Sequence, residues 1–323
     1  MSKSWRFFSL PELQARPEPK WLLKDILPEA GAAVLYGRSG VGKSFLALDW
    51  MLSVATGTSW EGHPSLPGPV VYVCAENAWV TWKRAESWAK LRGRHLPMDQ
   101  VFVLTPDPVL LAQPDQAREF LLALAAAKVP PPRLVVLDTL QRNMAGADEN
   151  STKDMTMWVS GLQVLLEAFA GATVLVVHHS GKDPTKGDRG STVLRASVET
   201  VIELSGDRSR AMLVCHKQKN APEFKGIGLA RKGSDTGFIF IKAGLDDFDE
   251  KVLAVIREHP AGISASALRK AMGGKDKVNL RKLQGALEQL AANESIIEDE
   301  NKWWPYRGWG QEEIPPVPTG GTT

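Results

Sequence analysis

A glycine-rich segment near residue 40 carries the residue types that bind phosphate. Residues 37–44 read Gly-Arg-Ser-Gly-Val-Gly-Lys-Ser, which fits the spacing Gly-x4-Gly-Lys-Ser. The apolar run Ala32–Tyr36 precedes the segment and a helical pattern over Phe45–Leu52 follows it, as this motif requires. Glycines let backbone N–H groups wrap a phosphate, and the N-terminus of a helix adds a favourable dipole. The segment therefore predicts a phosphate-binding loop.

The residues of this loop have separate expected roles towards a nucleotide. Lys43 is expected to contact the β- and γ-phosphates and to act in catalysis, and the Ser44 hydroxyl is expected to ligate Mg²⁺. ATP and Mg²⁺ are the predicted cofactors. The predicted nucleotide-binding residues are Gly37, Arg38, Ser39, Gly40, Val41, Gly42, Lys43, Ser44 and Phe45.

Two further apolar runs end in a carboxylate. The run Leu134–Leu137 closes in Asp138, which is expected to hold the metal directly or through water. Such a run is common by itself, and it becomes informative when it follows a phosphate-binding loop. The run Val70–Ala75 ends in Glu76, whose carboxylate could polarise an attacking water. The alternative for Glu76 is a surface position at a helix start, where the helix dipole favours acids.

Two histidines close another apolar run, Thr173–His179. Ligands gather at the carboxyl ends of parallel strands, so at least one histidine is expected to emerge there. Adjacent residues on a strand point to opposite faces, which argues against joint binding of one metal ion. We interpret His179, with His178 beside it, as a sensor of the γ-phosphate.

The elements that must position these residues alternate between apolar strands and amphipathic helices. Strand-like runs lie at 32–37, 70–76, 101–105, 133–139 and 173–179. This alternation predicts the α/β class, with a mostly parallel sheet covered on both faces. Runs at 198–204, 210–217 and 237–242 follow with little room for helices between them, and they predict an antiparallel extension at one edge.

The chain divides into four predicted parts. An N-terminal arm covers 1–28, an ATPase domain 29–243, a small C-terminal domain 244–310 and a disordered Pro/Gly/Thr-rich tail 311–323. The C-terminal domain shows helical patterns near 245–258, 264–272 and 278–292, followed by two short extended pieces. Three helices followed by a hairpin are the outline of a winged helix-turn-helix.

Seven short motifs follow one another in a characteristic order. They are residues 37–44, Cys-Ala-Glu-Asn at 74–77, Leu-Asp-Thr-Leu at 137–140, Ala-Asp-Glu-Asn at 147–150, Val-His-His-Ser-Gly-Lys at 177–182, Arg-Gly-Ser-Thr at 189–192 and His-Lys-Gln-Lys-Asn at 216–220. This series resembles the RepA-type hexameric helicases and related plasmid and phage replication ATPases of the RecA/DnaB superfamily. The resemblance implies a RecA-like P-loop NTPase core and a hexameric ring.

The resemblance also implies roles for individual residues. Glu76 would be the catalytic base, Asp138 the second metal anchor and His179 the phosphate sensor. Lys217-Gln218-Lys219 resembles a Lys-x-Arg finger that reaches a neighbouring subunit's ATP, although Lys219 lacks the bidentate fork of arginine. Arg84 and Arg195 are further candidates for a phosphate contact, with solvated helix charges as the alternative.

Basic residues in two places predict contacts with DNA. In the channel of a ring, the DNA is expected to be single-stranded. The glycine-rich loop 180–191 carries Lys182, Lys186 and Arg189. In the C-terminal domain, the turn and third helix carry Arg269, Lys270, Lys275, Lys277, Arg281 and Lys282. In a winged helix this surface faces DNA, although charge runs are also common on solvated faces.

The composition indicates the cellular compartment but does not indicate a binding partner. The net charge of +2 gives no global argument about nucleic acid. Neither an apolar run of membrane-spanning length nor a secretory signal is recognisable, and Cys74 and Cys215 read as buried small hydrophobes, so the protein is predicted to be cytoplasmic.

The function favoured by these patterns is a ring-forming, ATP-hydrolysing DNA translocase or helicase in replication of a plasmid, phage or mobile element. A replication initiator or a primase would then be a further partner. The alternative is a DNA-binding ATPase switch, such as a helicase loader, an initiation regulator or a recombinase. A protein-directed signalling ATPase of the KaiC type is less well supported, because of the basic loop and the winged-helix outline.

Overall fold

The computed structural model describes most of the chain. The described residues are 7–14, 20–74, 78–179, 189–207, 209–219, 221–234, 236–244, 247–275, 277–292, 296–299 and 302–305. They divide into two compact units, Met1–Lys225 with Leu229–Lys242 and Gly226–Gly228 with Ala243–Thr323. The tail predicted at 311–323 lies outside the described residues, as do 1–6 and 15–19 of the N-terminal arm.

The first unit contains one large sheet with helices. The helices are α1 (Leu10–Gln14), α2 (Lys43–Thr56), α3 (Ala78–Arg92), α4 (Gln116–Ala126), α5 (Thr152–Ala168) and α6 (Arg189–Ser197), and Arg142–Met144 form a 3-10 turn. The strands β1 (Trp21–Leu23) and β2 (Leu27–Pro28) pair with each other. The sheet is built from β3 (Gly31–Gly37), β4 (Val70–Cys74), β5 (Val101–Leu104), β6 (Leu134–Asp138), β7 (Thr173–His179), β8 (Thr200–Gly206), β9 (Arg210–Gln218), β10 (Ile227–Ser234) and β11 (Gly237–Lys242).

The strand order in this sheet is β11-β10-β9-β8-β3-β7-β6-β4-β5. All neighbours from β8 to β5 run parallel, which confirms the predicted mostly parallel sheet of an α/β protein. The strands β3, β6 and β7 are almost wholly buried, as expected when helices cover both faces. Their carboxyl ends therefore meet at one edge of the sheet.

The antiparallel edge begins one strand later than the sequence predicts. The run at 198–204 was expected in the antiparallel extension, but β8 runs parallel to β3. Helix α6 precedes β8 and allows the crossover that a parallel neighbour needs. The strand β9 is antiparallel to β8, and β11 is antiparallel to β10. Strand β10 was not predicted, because the charged residues Arg231 and Lys232 interrupt its apolar pattern.

A buried carboxylate ties three elements of this unit together. Asp49 of α2 is fully buried and accepts hydrogen bonds from the indole nitrogens of Trp60 (3.0 Å) and Trp88 (2.6 Å). Arg92 of α3 donates from Nε (3.2 Å) and from a terminal nitrogen (2.6 Å) to the two oxygens of Asp49. Burial raises the pKa of Asp49, and Arg92 and the two indoles oppose that shift. Arg92 also donates to the carbonyl of Phe240 in β11 (2.9 Å), so α2, α3 and β11 are held in one arrangement.

The second unit has its own apolar core and a small sheet. Its elements are α7 (Asp247–Arg257), β12 (Ile263–Ser264), α8 (Ala265–Ala271), α9 (Leu280–Ala292), β13 (Ile296–Asp299) and β14 (Lys302–Pro305). The strands pair antiparallel in the order β12-β14-β13. The Ser264 hydroxyl accepts a hydrogen bond from the Ala267 N–H and caps α8, and the Asn279 side chain accepts from the N–H groups of Arg281 and Lys282 at the start of α9. Trp303 packs on the core of this unit.

None of the helices within the described ranges is long and apolar enough to cross a membrane.

Candidate nucleotide-binding site

The predicted phosphate-binding loop connects β3 to α2 and depends on two glycines. Gly37 has a φ of 156°, and a Cβ there would lie 2.1 Å from the carbonyl oxygen of Leu204. Gly42 has a φ of 108°, and a Cβ there would lie 2.9 Å from the ring of Phe240. A side chain at either position would strain the backbone and collide with a neighbour. The loop is therefore closely packed against β8 and β11.

Lys43 is buried at the centre of this loop. Its side chain is 3% exposed, and its Nζ donates to the carbonyl oxygens of Gly37 (2.7 Å) and Arg38 (2.9 Å). A third contact of 2.9 Å joins Nζ to Nδ1 of His179. Burial lowers the pKa of Lys43 to about 8, and Asp138 opposes that shift. The amine is held where β3 and β7 end, and the charge of Asp138 only partly compensates for its burial.

His179 lies level with the loop because β7 pairs with β3. The register places Gly37 beside His179, at the last position of both strands. Burial and the nearby Lys43 lower the pKa of His179, so the imidazole is neutral at neutral pH. Since Lys43 donates to Nδ1, the proton of the neutral ring belongs on Nε2. His179 can therefore accept from the lysine and donate from Nε2 at the same time.

His178 points away from Lys43, as the alternation along a strand predicts. It is 8% exposed, and its Nε2 lies 3.9 Å from a carboxylate oxygen of Glu149, in the segment that follows β6. Within the described ranges no group of three or more His, Cys, Asp or Glu side chains could hold a metal ion. The two histidines thus face different neighbours.

Asp138 closes β6 beside the same edge. It is 5% exposed, and the hydroxyl of Tyr72 in β4 donates to its Oδ2 at 2.7 Å. Burial, followed by the charge of Asp138, raises the pKa of Tyr72, which keeps the hydroxyl protonated as a donor. Magnesium prefers oxygen ligands and usually takes one or two from a protein, together with phosphate oxygens and water. The Ser44 hydroxyl and the Asp138 carboxylate are the two predicted ligands, and this donor set fits that ion.

A family model described as an AAA domain matches residues 7–185, which is more than half of the chain. The chain belongs to the AAA domain family. This family consists of P-loop ATPases, so the predicted P-loop ATPase class is confirmed. No curated protein is significantly similar to the chain.

Three predicted site residues lie outside the described residues. They are Glu76, Lys182 and Lys186. The strand β4 is described up to Cys74, which pairs with Asp138. Arg189 is described only as the first residue of α6. The roles assigned to Glu76, Lys182, Lys186 and Arg189 remain predictions.

The candidate finger residues make contacts within their own chain. Lys217 Nζ donates to the carbonyl oxygens of Arg195 (2.6 Å) and Ala196 (3.1 Å), close to the C-terminal end of α6. The guanidinium of Arg195 lies 4.2 Å from the ring centroid of Tyr36, the residue before Gly37. Lys219 Nζ lies 3.6 Å from a carboxylate oxygen of Glu199, and its side chain is 44% exposed. Lys217 and Arg195 thus anchor α6 beside β3, and Lys219 has the more accessible amine.

A stack of four side chains braces the start of α2. The Arg84 guanidinium lies 4.7 Å from the ring centroid of Phe45, and Phe45 stacks on Phe238 with centroids 3.9 Å apart. The Arg231 guanidinium lies 4.5 Å from the ring centroid of Phe238. We call Arg84, Phe45, Phe238 and Arg231 the arginine–phenylalanine stack. It joins α3, α2, β11 and β10 beside the phosphate-binding loop.

Sequence reasoning missed Arg231 and Phe238 as site residues. The alternating pattern at 237–242 indicates a strand, but nothing in it identifies the loop at 37–44 as its neighbour. Arg84 was predicted as a phosphate contact, and its described ring contact is with Phe45, the predicted nucleotide-binding residue. The stack therefore connects Arg84 and Phe45, which the sequence predicts as site residues, with Phe238 and Arg231, which it does not.

The predicted DNA-contact residues of the second unit differ in exposure. Arg269 is half-buried, and its Nε donates to the carbonyl oxygen of Val278 at 2.9 Å. Lys282 is exposed and its Nζ lies 4.4 Å from the ring centroid of Phe248. The remaining four, Lys270, Lys275, Lys277 and Arg281, are exposed. Arg269 thus has a structural contact, and the other five present their charges at the surface.

Proposed function

We propose that the protein is an ATP-hydrolysing, ring-forming DNA translocase or helicase of the RepA type, acting in replication of a plasmid, phage or other mobile element. The observation that carries the proposal is the 2.9 Å contact between Lys43 Nζ and His179 Nδ1. This contact joins the phosphate-binding loop to the strand that leads into the predicted basic loop at 180–191. Such a connection is what a nucleotide-driven motor needs between its ATP and its track.

The proposed hydrolysis uses residues from three neighbouring strand ends. Lys43 and the N–H groups of the loop bind the β- and γ-phosphates, and Ser44 and Asp138 hold Mg²⁺. The ion supplies neutralisation of the charge that develops on the phosphate oxygens. Glu76 acts as the base that orients the attacking water, and the Nε2–H of His179 donates to the γ-phosphate. Loss of that phosphate changes the partners of His179 and, through it, of Lys43.

The contacts of α6 support a mechanical link to DNA. Lys217 and Arg195 hold α6 against β9 and β3, and His179 fixes the end of β7 beside Lys43. In the proposal, Lys182, Lys186 and Arg189 bind the backbone of single-stranded DNA between these two anchors. A displacement of the β7 end on hydrolysis is then passed to the bound strand.

The proposed assembly is a homohexameric ring in which Lys219 reaches the neighbouring subunit's ATP. The Lys219 side chain is 44% exposed and its amine lies 3.6 Å from a Glu199 oxygen, so the amine can exchange that partner for a phosphate. A heterologous contact of this kind closes into a ring when the rotation between subunits permits it.

The second unit supports the alternative function. Its order α7-β12-α8-α9-β13-β14 and its sheet order β12-β14-β13 support the proposal of a winged helix, in which α9 would be the recognition helix. Arg281 and Lys282 occupy the first turn of α9 and are exposed. This arrangement favours a DNA-binding ATPase switch, such as a helicase loader, an initiation regulator or a recombinase, as the second candidate. A replication initiator or a primase is the expected protein partner in either case.

The experiment that separates these functions measures ATP turnover and strand separation with the same purified protein. We expect single-stranded DNA to stimulate turnover severalfold and the protein to separate a forked duplex carrying a fluorophore–quencher pair. The Lys43→Ala variant should lose both activities and serves as the control. Turnover that DNA does not change, together with footprinting at one defined duplex sequence, would favour the switch. Absence of any ATP turnover would contradict both functions.

A direct image tests the assembly. Negative-stain microscopy with a non-hydrolysable ATP analogue, with and without single-stranded DNA, should show rings. Filaments would support a recombinase instead, and monomers under both conditions would contradict the proposed finger role of Lys219.

A further inference from the structure

The back of the phosphate-binding loop is held by a side chain from a distant strand. A terminal nitrogen of Arg231, in β10, donates to the carbonyl oxygens of Gly40 (3.2 Å) and Val41 (2.7 Å). These are two consecutive peptides of the loop. Within the described residues, hydrogen bonds from one guanidinium thus fix the direction in which two loop carbonyls point.

The direction of a carbonyl determines the direction of the N–H in the same peptide. A trans peptide is planar, and its C=O and N–H groups point to opposite sides. The carbonyl of Gly40 shares a peptide with the N–H of Val41, and the carbonyl of Val41 shares one with the N–H of Gly42. When Arg231 holds both carbonyls on one side, both N–H groups are turned to the other side. The N–H of Val41 indeed points to the Arg38 carbonyl oxygen (3.4 Å), which also accepts from Lys43 Nζ (2.9 Å).

The guanidinium is itself held in place. It lies 4.5 Å from the ring centroid of Phe238 and 5.9 Å from that of Phe240. The rings of Phe238 and Phe240 also close on the position of Gly42. Arginine stacks well on aromatic faces while its N–H groups donate in the plane of the guanidinium, so one side chain can contact both the rings and the loop carbonyls. A charged donor also polarises the two peptides, which makes their N–H groups better donors to an anion.

We propose that Arg231 is a positioning residue that presents the N–H of Gly42 to the phosphates of the bound nucleotide, and also the N–H of Val41, which exchanges its 3.4 Å contact with the Arg38 carbonyl oxygen for a phosphate oxygen. This inference rests on the proposed nucleotide binding and deepens it, because it assigns a residue nearly 190 positions from the loop to phosphate recognition. Arg231 acts through the loop backbone and does not itself touch the phosphate. Its role is distinct from that of Lys43, whose amine donates to the carbonyl oxygens of Gly37 and Arg38.

The test compares Arg231→Ala and Arg231→Lys with Lys232→Ala, which changes the next, exposed residue of β10. For each full-length variant we would measure binding of fluorescent ADP, its displacement by tripolyphosphate, ATP turnover against ATP concentration, and thermal unfolding. Because charge-assisted hydrogen bonds are stronger than neutral ones, we expect Arg231→Ala to weaken ADP binding and raise KM about tenfold. Turnover at saturating ATP should fall less, and Lys232→Ala should match the wild type.

The same experiment includes readouts that a purely structural role would not move. Tripolyphosphate affinity should fall by the same factor as ADP affinity, and low, non-denaturing guanidinium chloride should partly restore ADP binding to Arg231→Ala beyond a matched sodium chloride control. Arg231→Lys, which keeps the charge without the planar fork, should lie between wild type and alanine. It also serves as the readout if the alanine variant does not fold.

Three results would overturn the proposal. The first is unchanged ADP binding in Arg231→Ala when the wild type binds and Lys43→Ala does not. The second is a loss of ADP affinity without a loss of tripolyphosphate affinity, which would indicate a contact with the base. The third is a wild-type protein that binds no nucleotide, which would remove the proposed function as well.

Discussion

The amine of Lys43 combines close contacts with poor solvation. It donates to two loop carbonyls and to His179, and it is almost completely buried. Burial penalises the charged form, which is why its pKa falls to about 8. An exposed lysine would keep its charge until well above that pH. The positive charge that binds phosphate is thus lost at a lower pH here than in most lysines.

This lowered pKa predicts a loss of nucleotide affinity in mild alkali. The protonated amine attracts phosphate and the neutral amine does not, so ADP binding should be constant below about pH 8 and weaken as the pH rises through that value. Once Lys43 is neutral, each further pH unit should weaken binding about tenfold. Titration of fluorescent ADP over this range measures the effect. In Lys43→Arg the guanidinium stays charged, and the decline should disappear. A decline that persists in this variant would assign it to another group.

At the scale of elements, the carboxylate of Asp49 fixes how α2 and α3 pack. Arg92 and the indoles of Trp60 and Trp88 supply four donors to its two oxygens. The Asp49–Arg92 pair is buried on the aspartate side and 18% exposed on the arginine side. A charge in such a place is stable only while its partners remain. The beginning of α2, with Lys43 and Ser44, depends on the same packing.

Removing one member of this pair should therefore cost stability. We expect Arg92→Met to lower the free energy of unfolding by about 3–5 kcal/mol, because it leaves the carboxylate buried with only the two indoles as donors. Urea unfolding followed by circular dichroism measures the change. The double variant Asp49→Asn/Arg92→Met should recover part of the loss, since the buried charge of Asp49 is removed together with its partner. As a control, Glu86→Gln breaks the exposed Lys83–Glu86 pair and should change stability by less than about 1 kcal/mol. Equal losses in Arg92→Met and Glu86→Gln would contradict this account.

Over the whole molecule, positive charge is concentrated locally while the net charge is only +2. Five basic side chains around α8 and α9 are exposed, and Arg281 and Lys282 begin a helix that is capped by Asn279. The residues that match the AAA domain family belong to the other compact unit, Met1–Lys225 with Leu229–Lys242. DNA affinity and nucleotide turnover should therefore respond to different substitutions.

A variant with Lys275, Lys277 and Arg281 each replaced by Gln tests that separation. Each lost phosphate contact reduces the slope of log affinity against log salt by about 0.7 for single strands, so we expect a decrease of about 2. DNA affinity at low salt should fall, and ATP turnover without DNA should stay unchanged. The matched control replaces three exposed lysines of the AAA domain unit, Lys90, Lys128 and Lys153, with Gln. An equal loss of DNA affinity in both variants would show that the effect depends only on the net charge of the protein and not on this surface.

The sequence predicts the parts of the site that depend on local order. The glycines and Lys43 are recognisable because they lie together between a strand and a helix, and Asp138 and His179 because each ends an apolar run. The contributions of Arg231 and Phe238 depend on pairing between strands far apart in the chain, which leaves no local pattern. The parallel direction of β8 was missed for the same reason, since α6 lies in a segment that reads as a loop.

The end of β7 places its two imidazoles on opposite faces of one backbone. The backbone of β7 pairs with β3 as far as His179 and with β6 as far as Val177, and this one backbone carries both imidazoles. A displacement of this backbone that moves His179 relative to Lys43 should also change the 3.9 Å separation between His178 and Glu149. One displacement of the β7 end thus affects two loops, the loop before α2 and the loop after β6. Insertion of a single residue into β7 would exchange the two imidazoles and disconnect both loops together.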